Sequence, residues 1–134
     1  MSSKYILDTN FIVRYFLKDN EKQFIKAEEM FLEVMSGRKI AILHESVFIE
    51  VIYVLKSFYE VPKEKIIDIL EGLLLYKGIS CDKELFIKSL EIYKNNNIHI
   101  VDAIIKANSY INSLEILSFD KKLHNLKPAE NERK

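Results

Sequence analysis

The sequence predicts an α/β protein with a central parallel sheet of about four to five strands, flanked by helices. Three observations lead to this prediction. Short apolar runs of strand type alternate with helical segments of about ten or more residues, a pattern typical of strand–helix–strand units. Only three Gly and two Pro occur in 134 residues, so most of the chain must be regular elements joined by short turns. The 49% hydrophobic and 30% charged residues are values of an ordinary globular protein.

The first half of the chain contains two predicted strands and three predicted helices. The first strand, YIL, ends at Asp8, where Thr9 or Asn10 is expected to cap a helix by accepting a free backbone N–H. Gly37 stands where a glycine commonly ends a helix. The elements are, in order, a strand at 5–7, a helix from Thr9 or Asn10 to Leu17, a helix at Glu21–Ser36, a strand at Ile40–Leu43 and a helix at Ser46–Phe58.

The second half continues the alternation. Pro62 is expected in the first turn of a helix, because a helix needs no N–H there, and Asp82 is expected to cap the following helix. The elements are a helix from Pro62 to Tyr76, a strand at Ile79–Cys81, a helix from Asp82 to Lys94, a helix at Ile100–Asn112, a strand at Glu115–Ser118 and a short helix at Lys121–Leu126. No linker or repeat interrupts them, so residues 1–126 are predicted to form one domain, followed by a polar tail at 127–134.

Charge and cysteine content narrow the class of protein. The formal net charge is zero, so attraction to a nucleic acid must come from a local basic patch or from a metal ion. Cys81 is the single cysteine, which excludes an internal disulfide and a cysteine-based zinc site and fits a reducing compartment. The N-terminal sequence MSSKYILDTNFIVRYF lacks a signal-peptide layout, and no run approaches the roughly 18 apolar residues of a membrane span. We therefore expect a cytoplasmic protein without membrane contact.

Four acidic residues stand beside apolar runs. They are Asp8 in YILDTN, Glu50 in VFIEVIYVL, Asp102 in IHIVDAIIKA and Asp120 in ILSFDKKL. An ionised carboxylate is costly to bury in such surroundings unless a positive group meets it. Asp8 and Asp120 both follow predicted strands, and ligands of parallel sheets bind beyond the carboxyl ends of the strands. The two residues are therefore predicted to lie at the same edge of the sheet.

A divalent metal ion is the natural partner for such a set of acids. Four converging carboxylates repel one another, whereas Mg²⁺ or Mn²⁺ binds hard oxygen ligands and relieves the repulsion. Such a site stabilises the charge that develops on a phosphodiester and lowers the pKa of an attacking water. The residues therefore favour phosphoester hydrolysis.

Each acid also has a simpler explanation when it is taken alone. Asp8 and Asp120 have the position of turn or N-cap residues, and Asp102 that of a first-turn acid favoured by the helix dipole. Glu50 shares a helix face with polar residues, which are Ser46, Tyr53 and Ser57. Such a row of polar residues is also typical of the solvent-exposed face of a helix. The joint occurrence of the four acids favours the metal site.

The motifs as a set resemble those of the PIN-domain ribonucleases, particularly the VapC-type toxins. The resembling segments are LDTN, ESVFIEVIYVL, VDAIIKA and SFDKKL, and they run in order from Tyr5 to Leu126. The resemblance implies a three-layer PIN-like fold, a Mg²⁺- or Mn²⁺-dependent endoribonuclease acting on RNA, and often a homodimer inhibited by a cognate antitoxin. Carried over position by position, the catalytic and metal-binding acids would be Asp8, Glu50, Asp102 and Asp120. Asn10 and Ser118 would be polar helpers that position water, the metal or an acid.

Other polar residues are more loosely tied to the predicted site. Many relatives carry another acid three residues before the position of Asp102, where this chain has His99. The three histidines show no metal-ligand spacing, so no zinc site is predicted. Arg14 and Lys121 are candidates for contacts with the RNA phosphates, although ordinary solvated helix faces explain them equally well. The same holds for other basic residues near the motifs, which are Lys18, Lys56, Lys106 and Lys122.

Three alternatives to a toxin remain open. One is a stand-alone PIN nuclease that acts in RNA processing. Another is a phosphatase of the haloacid-dehalogenase type, although such enzymes usually carry a second Asp at the position of Asn10. The last is an inactive PIN-like module that only binds a partner, which the retention of four self-repelling acids disfavours. Parts of the helices at 21–36 and 45–58 are candidates for an antitoxin or dimer surface.

Overall fold

The computed structural model describes residues 4–126, which fall into two compact units divided after Cys81. The predicted tail at 127–134 lies outside the described residues. Within the part of the chain that the structure describes, no helix has the length and apolar character needed to cross a membrane.

The first unit contains a small sheet and four α-helices. Its elements are β1 (Lys4–Ile6), α1 (Thr9–Leu17), α2 (Glu21–Ser36), β2 (Ile40–Ile42), α3 (Glu45–Tyr53), a π-helical turn (Val54–Phe58), α4 (Lys63–Leu74) and β3 (Ile79–Ser80). The second unit is helical as far as it is described, with α5 (Lys83–Asn95), α6 (Ile100–Asn112) and α7 (Lys121–His124).

The sheet is parallel, with the strand order β1-β2-β3. Ala41, in the middle of β2, lies opposite Tyr5 on one side and Ile79 on the other, and its side chain is fully buried. The hydrogen bond from Leu7 N to the Ile42 carbonyl, at 3.0 Å, extends the pairing of β1 and β2 toward Asp8. The predicted α/β class with a parallel sheet and flanking helices is confirmed. Three strands are present in the described residues, fewer than the four to five predicted.

The predicted strand at Glu115–Ser118 is not formed. The chain leaves α6 through Ser113, whose φ of 55° is left-handed, and residues 114–118 make no sheet hydrogen bonds. The side chain of Leu117, in the middle of this segment, is 93% exposed. Strand propensity measures how well a side chain fits against a neighbouring surface, so an apolar run forms no strand where no neighbour covers it. The strand prediction was wrong for this reason.

The helix predicted at Ser46–Phe58 differs from the observed one at both ends. α3 begins at Glu45, because the Nδ1 atom of His44 accepts the Ser46 N–H at 3.1 Å and caps the helix. After Tyr53 the backbone widens into the π-helical turn, in which Tyr59 N–H donates to the Val54 carbonyl at 3.2 Å. The helix α4 begins one residue later than predicted, because Pro62 is its N-cap and not a residue of its first turn.

Aromatic rings join α1 to α2 and to the segment after α4. Tyr15 stacks on Phe31 with ring centroids 4.3 Å apart, and its hydroxyl is 2.9 Å from that of Tyr76. Burial, followed by this hydrogen bond, raises the pKa of Tyr15 well above its ordinary value. Phe11 also contacts Phe31, at a centroid distance of 5.7 Å. The rings therefore hold the first helix of the unit firmly against the second.

In the second unit α5 and α6 pack against each other, and α7 packs on α6. Their shared core includes Leu90, Ile104 and Ala107. The Asp82 carboxylate accepts the Leu85 N–H at 3.2 Å, which confirms the predicted cap of α5. The predicted bounds of α6 are confirmed as well.

Candidate active site

Asp8 follows β1 and occupies the N-cap position of α1, where Thr9 or Asn10 had been predicted. Its side chain makes no capping hydrogen bond, and the residue is exposed. By contrast, Asp82 in the corresponding position after β3 does cap its helix. The capping alternative therefore does not describe the carboxylate of Asp8, which remains available for a ligand.

Glu50 is held at the start of α1 by a hydrogen bond between residues far apart in sequence. The buried Thr9 hydroxyl donates to Oε1 of Glu50 at 2.8 Å, across 41 positions of the chain. Since Thr9 directly follows Asp8, this bond orients the Glu50 carboxylate beside the residue next to Asp8. The sequence interpretation had treated Thr9 only as a helix cap. Its hydroxyl within the LDTN motif was the available signal.

The other two predicted acids belong to the second unit. Asp102 lies half-buried in the first turn of α6. Asp120 caps α7, because its Oδ1 atom accepts the Lys122 N–H at 2.9 Å. This is the simpler explanation weighed for Asp120, and it leaves the second carboxylate oxygen unused by the cap. The Ser118 hydroxyl accepts the Asp120 N–H at 2.9 Å, a geometry expected of a residue that positions this acid.

Arg14, a predicted phosphate contact, is held by three other side chains. It donates to the Asp19 carboxylate at 3.0 Å, to the Tyr59 hydroxyl at 3.0 Å and to Gln23 Oε1 at 2.9 Å. The hydrogen bond to Tyr59, more than the charge of Asp19, raises the pKa of Arg14. The guanidinium therefore links α1 to Asp19, Gln23 and Tyr59. A phosphate of RNA that binds Arg14 would compete with these three side chains for its N–H groups.

The remaining polar candidates lie at helix starts. Lys121 is exposed at the first position of α7. His99 precedes α6 at its N-cap position without a side-chain capping bond. His44 uses its Nδ1 atom for the cap of α3.

A groove of about 330 Å³ opens beside Asp8 between α1 and α2. The residues that line it are Asp8, Asn10, Phe11, Arg14, Gln23 and Lys26. Asn10, a predicted helper, thus shares a cavity with the acid that it was predicted to assist. The sequence interpretation did not single out Gln23 and Lys26. They lie three residues apart on α2, a spacing that places them on the same side of the helix, but the helix is rich in polar residues that hide the pattern.

A family model for the PIN domain matches residues 5–127, nearly the whole chain. The chain belongs to the PIN-domain family. PIN domains have a nuclease-type fold and are generally metal-dependent nucleases. No curated protein and no solved structure shows significant similarity to the chain. The match confirms the resemblance of the motifs at the level of the family, and it does not reach the toxin subfamily.

The oxygen ligands expected of a PIN-domain metal site are divided between the two units. Asp8 and Glu50 belong to the first, and Asp102 and Asp120 to the second. Within residues 4–126, no three His, Cys, Asp or Glu side chains form a group that could hold a metal ion. The four-carboxylate pocket therefore stays a prediction. The donors themselves fit Mg²⁺ or Mn²⁺, since the uncapped Asp8 carboxylate and the second oxygen of Glu50 are hard ligands.

Proposed function

We propose that this PIN-domain protein is a Mg²⁺- or Mn²⁺-dependent endoribonuclease that hydrolyses RNA phosphodiester bonds. The observation that carries the proposal is the carboxylate of Asp8, which lies at the end of β1, is not used to cap α1 and lines a groove. An acid that serves no local structural purpose at the carboxyl end of a parallel strand is well placed to bind a ligand.

Four carboxylates would hold the metal ion, namely Asp8, Glu50, Asp102 and Asp120. The ion, when bound, stabilises the charge that develops on the phosphodiester and lowers the pKa of an attacking water. The chain orients these ligands in advance. Thr9 fixes one oxygen of Glu50, and Ser118 fixes the backbone of Asp120. Such supporting hydrogen bonds keep ligands in a productive orientation and strengthen metal binding.

The metal requirement is tested by incubating single-stranded RNA with the purified protein and Mn²⁺ or Mg²⁺, and separately with EDTA. We expect cleavage only with the metal ion, because the proposed site consists of carboxylates, which act on a phosphodiester through a bound metal ion. An Asp8→Asn preparation serves as the control for contaminating ribonucleases. The metal mechanism would be contradicted if the parent cleaved RNA equally well in EDTA and the Asp8→Asn protein did not cleave it. Hydrolysis of a phosphomonoester through a phosphorylated Asp8 would favour the phosphatase alternative.

We further propose that the protein is the toxin of a type II toxin–antitoxin pair, that it forms a homodimer and that an antitoxin covers part of its surface. Large apolar side chains on the first unit support this proposal. Tyr53 at the end of α3 is 65% exposed, and Phe58 in the π-helical turn is 76% exposed. Leu32 on α2 is more than half exposed as well. Aromatic side chains are enriched in protein–protein interfaces, so Tyr53 and Phe58 are candidates for the covered surface.

Expression of the chain alone is expected to slow bacterial growth, because a free endoribonuclease degrades cellular RNA. Co-expression of a small protein encoded beside it is expected to restore growth and to co-purify with the chain. Expression of Asp8→Asn is the matched control and should leave growth unchanged. If the active protein is neutral for growth and no partner co-purifies, the stand-alone nuclease is the better interpretation.

A further inference from the structure

The groove between α1 and α2 has the size of a small ligand site. Its volume of about 330 Å³ lies at the lower end of the range usual for small-molecule pockets, which is roughly 300–1,000 Å³. Asp8 is one of its lining residues, so an occupant of the groove lies beside the proposed catalytic acid.

Gln23 presents a fixed hydrogen-bond donor to this groove. Its backbone N–H donates to Oδ1 of Asn20 at 3.0 Å, and its side-chain Oε1 accepts from Nε of Arg14 at 2.9 Å. A guanidinium has no acceptor, so the side-chain oxygen must face Arg14, and the amide NH₂ is left for an occupant. Arg14 is itself held by Asp19 and Tyr59. The orientation of the Gln23 amide is therefore set before any ligand binds.

Lys26 supplies an exposed positive charge to the groove. The charge of Arg14 is matched by Asp19, whereas Lys26 is exposed and lies three residues after Gln23 on α2. This spacing places the ammonium and the amide donor side by side on the helix. Phe11, which contacts Phe31, adds an aromatic ring to the same cavity. A cation, a fixed amide donor and a ring together match the phosphate, the base edge and the base face of a nucleotide.

We propose that this groove binds one nucleotide of the single-stranded RNA substrate, next to the phosphodiester that is presented to Asp8. Lys26 contacts its phosphate, the Gln23 amide donates to an acceptor on its base, and the Phe11 ring contacts the face of the base. This inference rests on the proposed endoribonuclease function and names the residues that hold its substrate. Gln23 is then a residue that bears on base preference, and Arg14 positions it.

The test measures binding of a short fluorescein-labelled single-stranded RNA by fluorescence anisotropy. All variants are made in the Asp8→Asn protein, so that binding is measured without cleavage. Gln23→Glu keeps an acceptor for Arg14 but replaces the NH₂ donor by an oxygen and adds a negative charge. We expect it to weaken RNA binding about tenfold, since a lost hydrogen bond and a repelled phosphate act together. An unchanged affinity in the folded variant would overturn the proposal.

Lys26→Ala and Lys22→Ala form a matched pair on α2. Both remove one exposed positive charge, but only Lys26 lines the groove. Lys26→Ala is expected to weaken binding about fivefold and to lower the slope of log Kd against log salt by about 0.7, the value for one phosphate contact with a single strand. Lys22→Ala should change the affinity less than about twofold. Equal losses would mean a non-specific charge effect and would overturn the proposal.

Two further readouts keep the proposal falsifiable. If Gln23→Glu lowers the melting temperature sharply, the NMR signals of the Gln23 side-chain amide are followed in the parent protein during titration with uridine monophosphate, and an absence of shifts counts against the groove. If the groove variants lose RNA binding but the parent does not cleave RNA, the proposal that the groove binds RNA is supported and the proposed nuclease activity is rejected. Cleavage by the parent with unaffected binding in the variants would reject the groove alone. If the groove variants keep their RNA affinity and lose only a co-purifying protein, a protein occupies the groove and the nucleotide proposal is rejected.

Discussion

Replacing Asp8 by Asn is expected to abolish metal-dependent RNA cleavage while the fold stays intact. The substitution keeps the size of the side chain but removes a charged oxygen ligand. We expect the rate to fall by at least about a hundredfold, since weakening even the supporting hydrogen bonds of a metal site costs about ten- to a hundredfold. Stability should change little, because the Asp8 side chain makes no capping hydrogen bond in the native protein. RNA cleavage with Mn²⁺, run beside thermal melts, measures both effects.

Asp82→Asn is the matched control for this substitution. Asp82 also follows a strand and occupies the N-cap position of a helix, but its side chain makes the capping hydrogen bond and it is not among the proposed ligands. Asn is as good an N-cap as Asp, so this variant should keep both activity and stability. Mn²⁺ should raise the melting temperature of the parent and of Asp82→Asn more than that of Asp8→Asn, because a ligand stabilises the state that binds it. An active Asp8→Asn protein with an unchanged metal shift would refute the proposed site.

Replacing Gly78 by Ala is expected to destabilise the protein by about 3 kcal/mol or more. A Cβ atom at this position would clash with the Lys39 carbonyl oxygen and would stand 2.7 Å from that of Val34. Both contacts are with backbone, so no side chain can rotate away to make room. The Gly78 N–H also donates to Val34 and its carbonyl accepts from Ala41, each at 2.8 Å. Relief of the clash would therefore disturb the end of α2 and the pairing of β2 with β3.

Gly72→Ala provides the contrast within the same protein. Gly72 is exposed in α4, and a Cβ atom there would meet no heavy atom within 4 Å. Ala is a better helix former than Gly, so this variant should be more stable than the parent by about 0.5–1 kcal/mol. Urea unfolding of the two variants and the parent gives the free energies. A Gly78→Ala protein as stable as the parent would show that the α2–β3 junction is looser than the structure indicates.

The helices were the most predictable part of the fold. The bounds of the helix at Glu21–Ser36 and of that at Ile100–Asn112 follow from apolar spacing and from the residues at their ends. Gly37, predicted to end the first of them, has a left-handed φ of 89°. The absence of a strand at Glu115–Ser118 was not predictable in the same way, because strand formation depends on a partner that local sequence does not contain. The π-helical turn was not predicted either, because the spacing of apolar residues does not reveal one additional residue in a helical turn.

The family of the chain was predictable from its motifs, whereas the contacts of the candidate site residues were not. The four motifs led to the PIN-domain family, and the family model confirms that assignment. The hydrogen bond from Thr9 to Glu50 joins residues 41 positions apart, and although the Thr9 hydroxyl in the LDTN motif was visible, local sequence does not show which residue it contacts. Arg14 shows the opposite case. Its charge suggested a free phosphate contact, whereas the fold pairs it with Asp19, which local sequence did not indicate as its partner.

The π-helical turn at Val54–Phe58 gives this part of the chain a tolerance to changes in its length. The N–H of Tyr59 donates to the carbonyl of Val54, a bond that spans five positions. Deletion of one residue between them would let the same two backbone groups form the four-position bond of an α-helix. Glu50 precedes the turn and Tyr59 follows it, so we expect the hydrogen bonds of Glu50 to Thr9 and of Tyr59 to Arg14 to survive such a deletion. The segment between Glu50 and Tyr59, which both bind α1, thus contains one residue more than a regular α-helix would need.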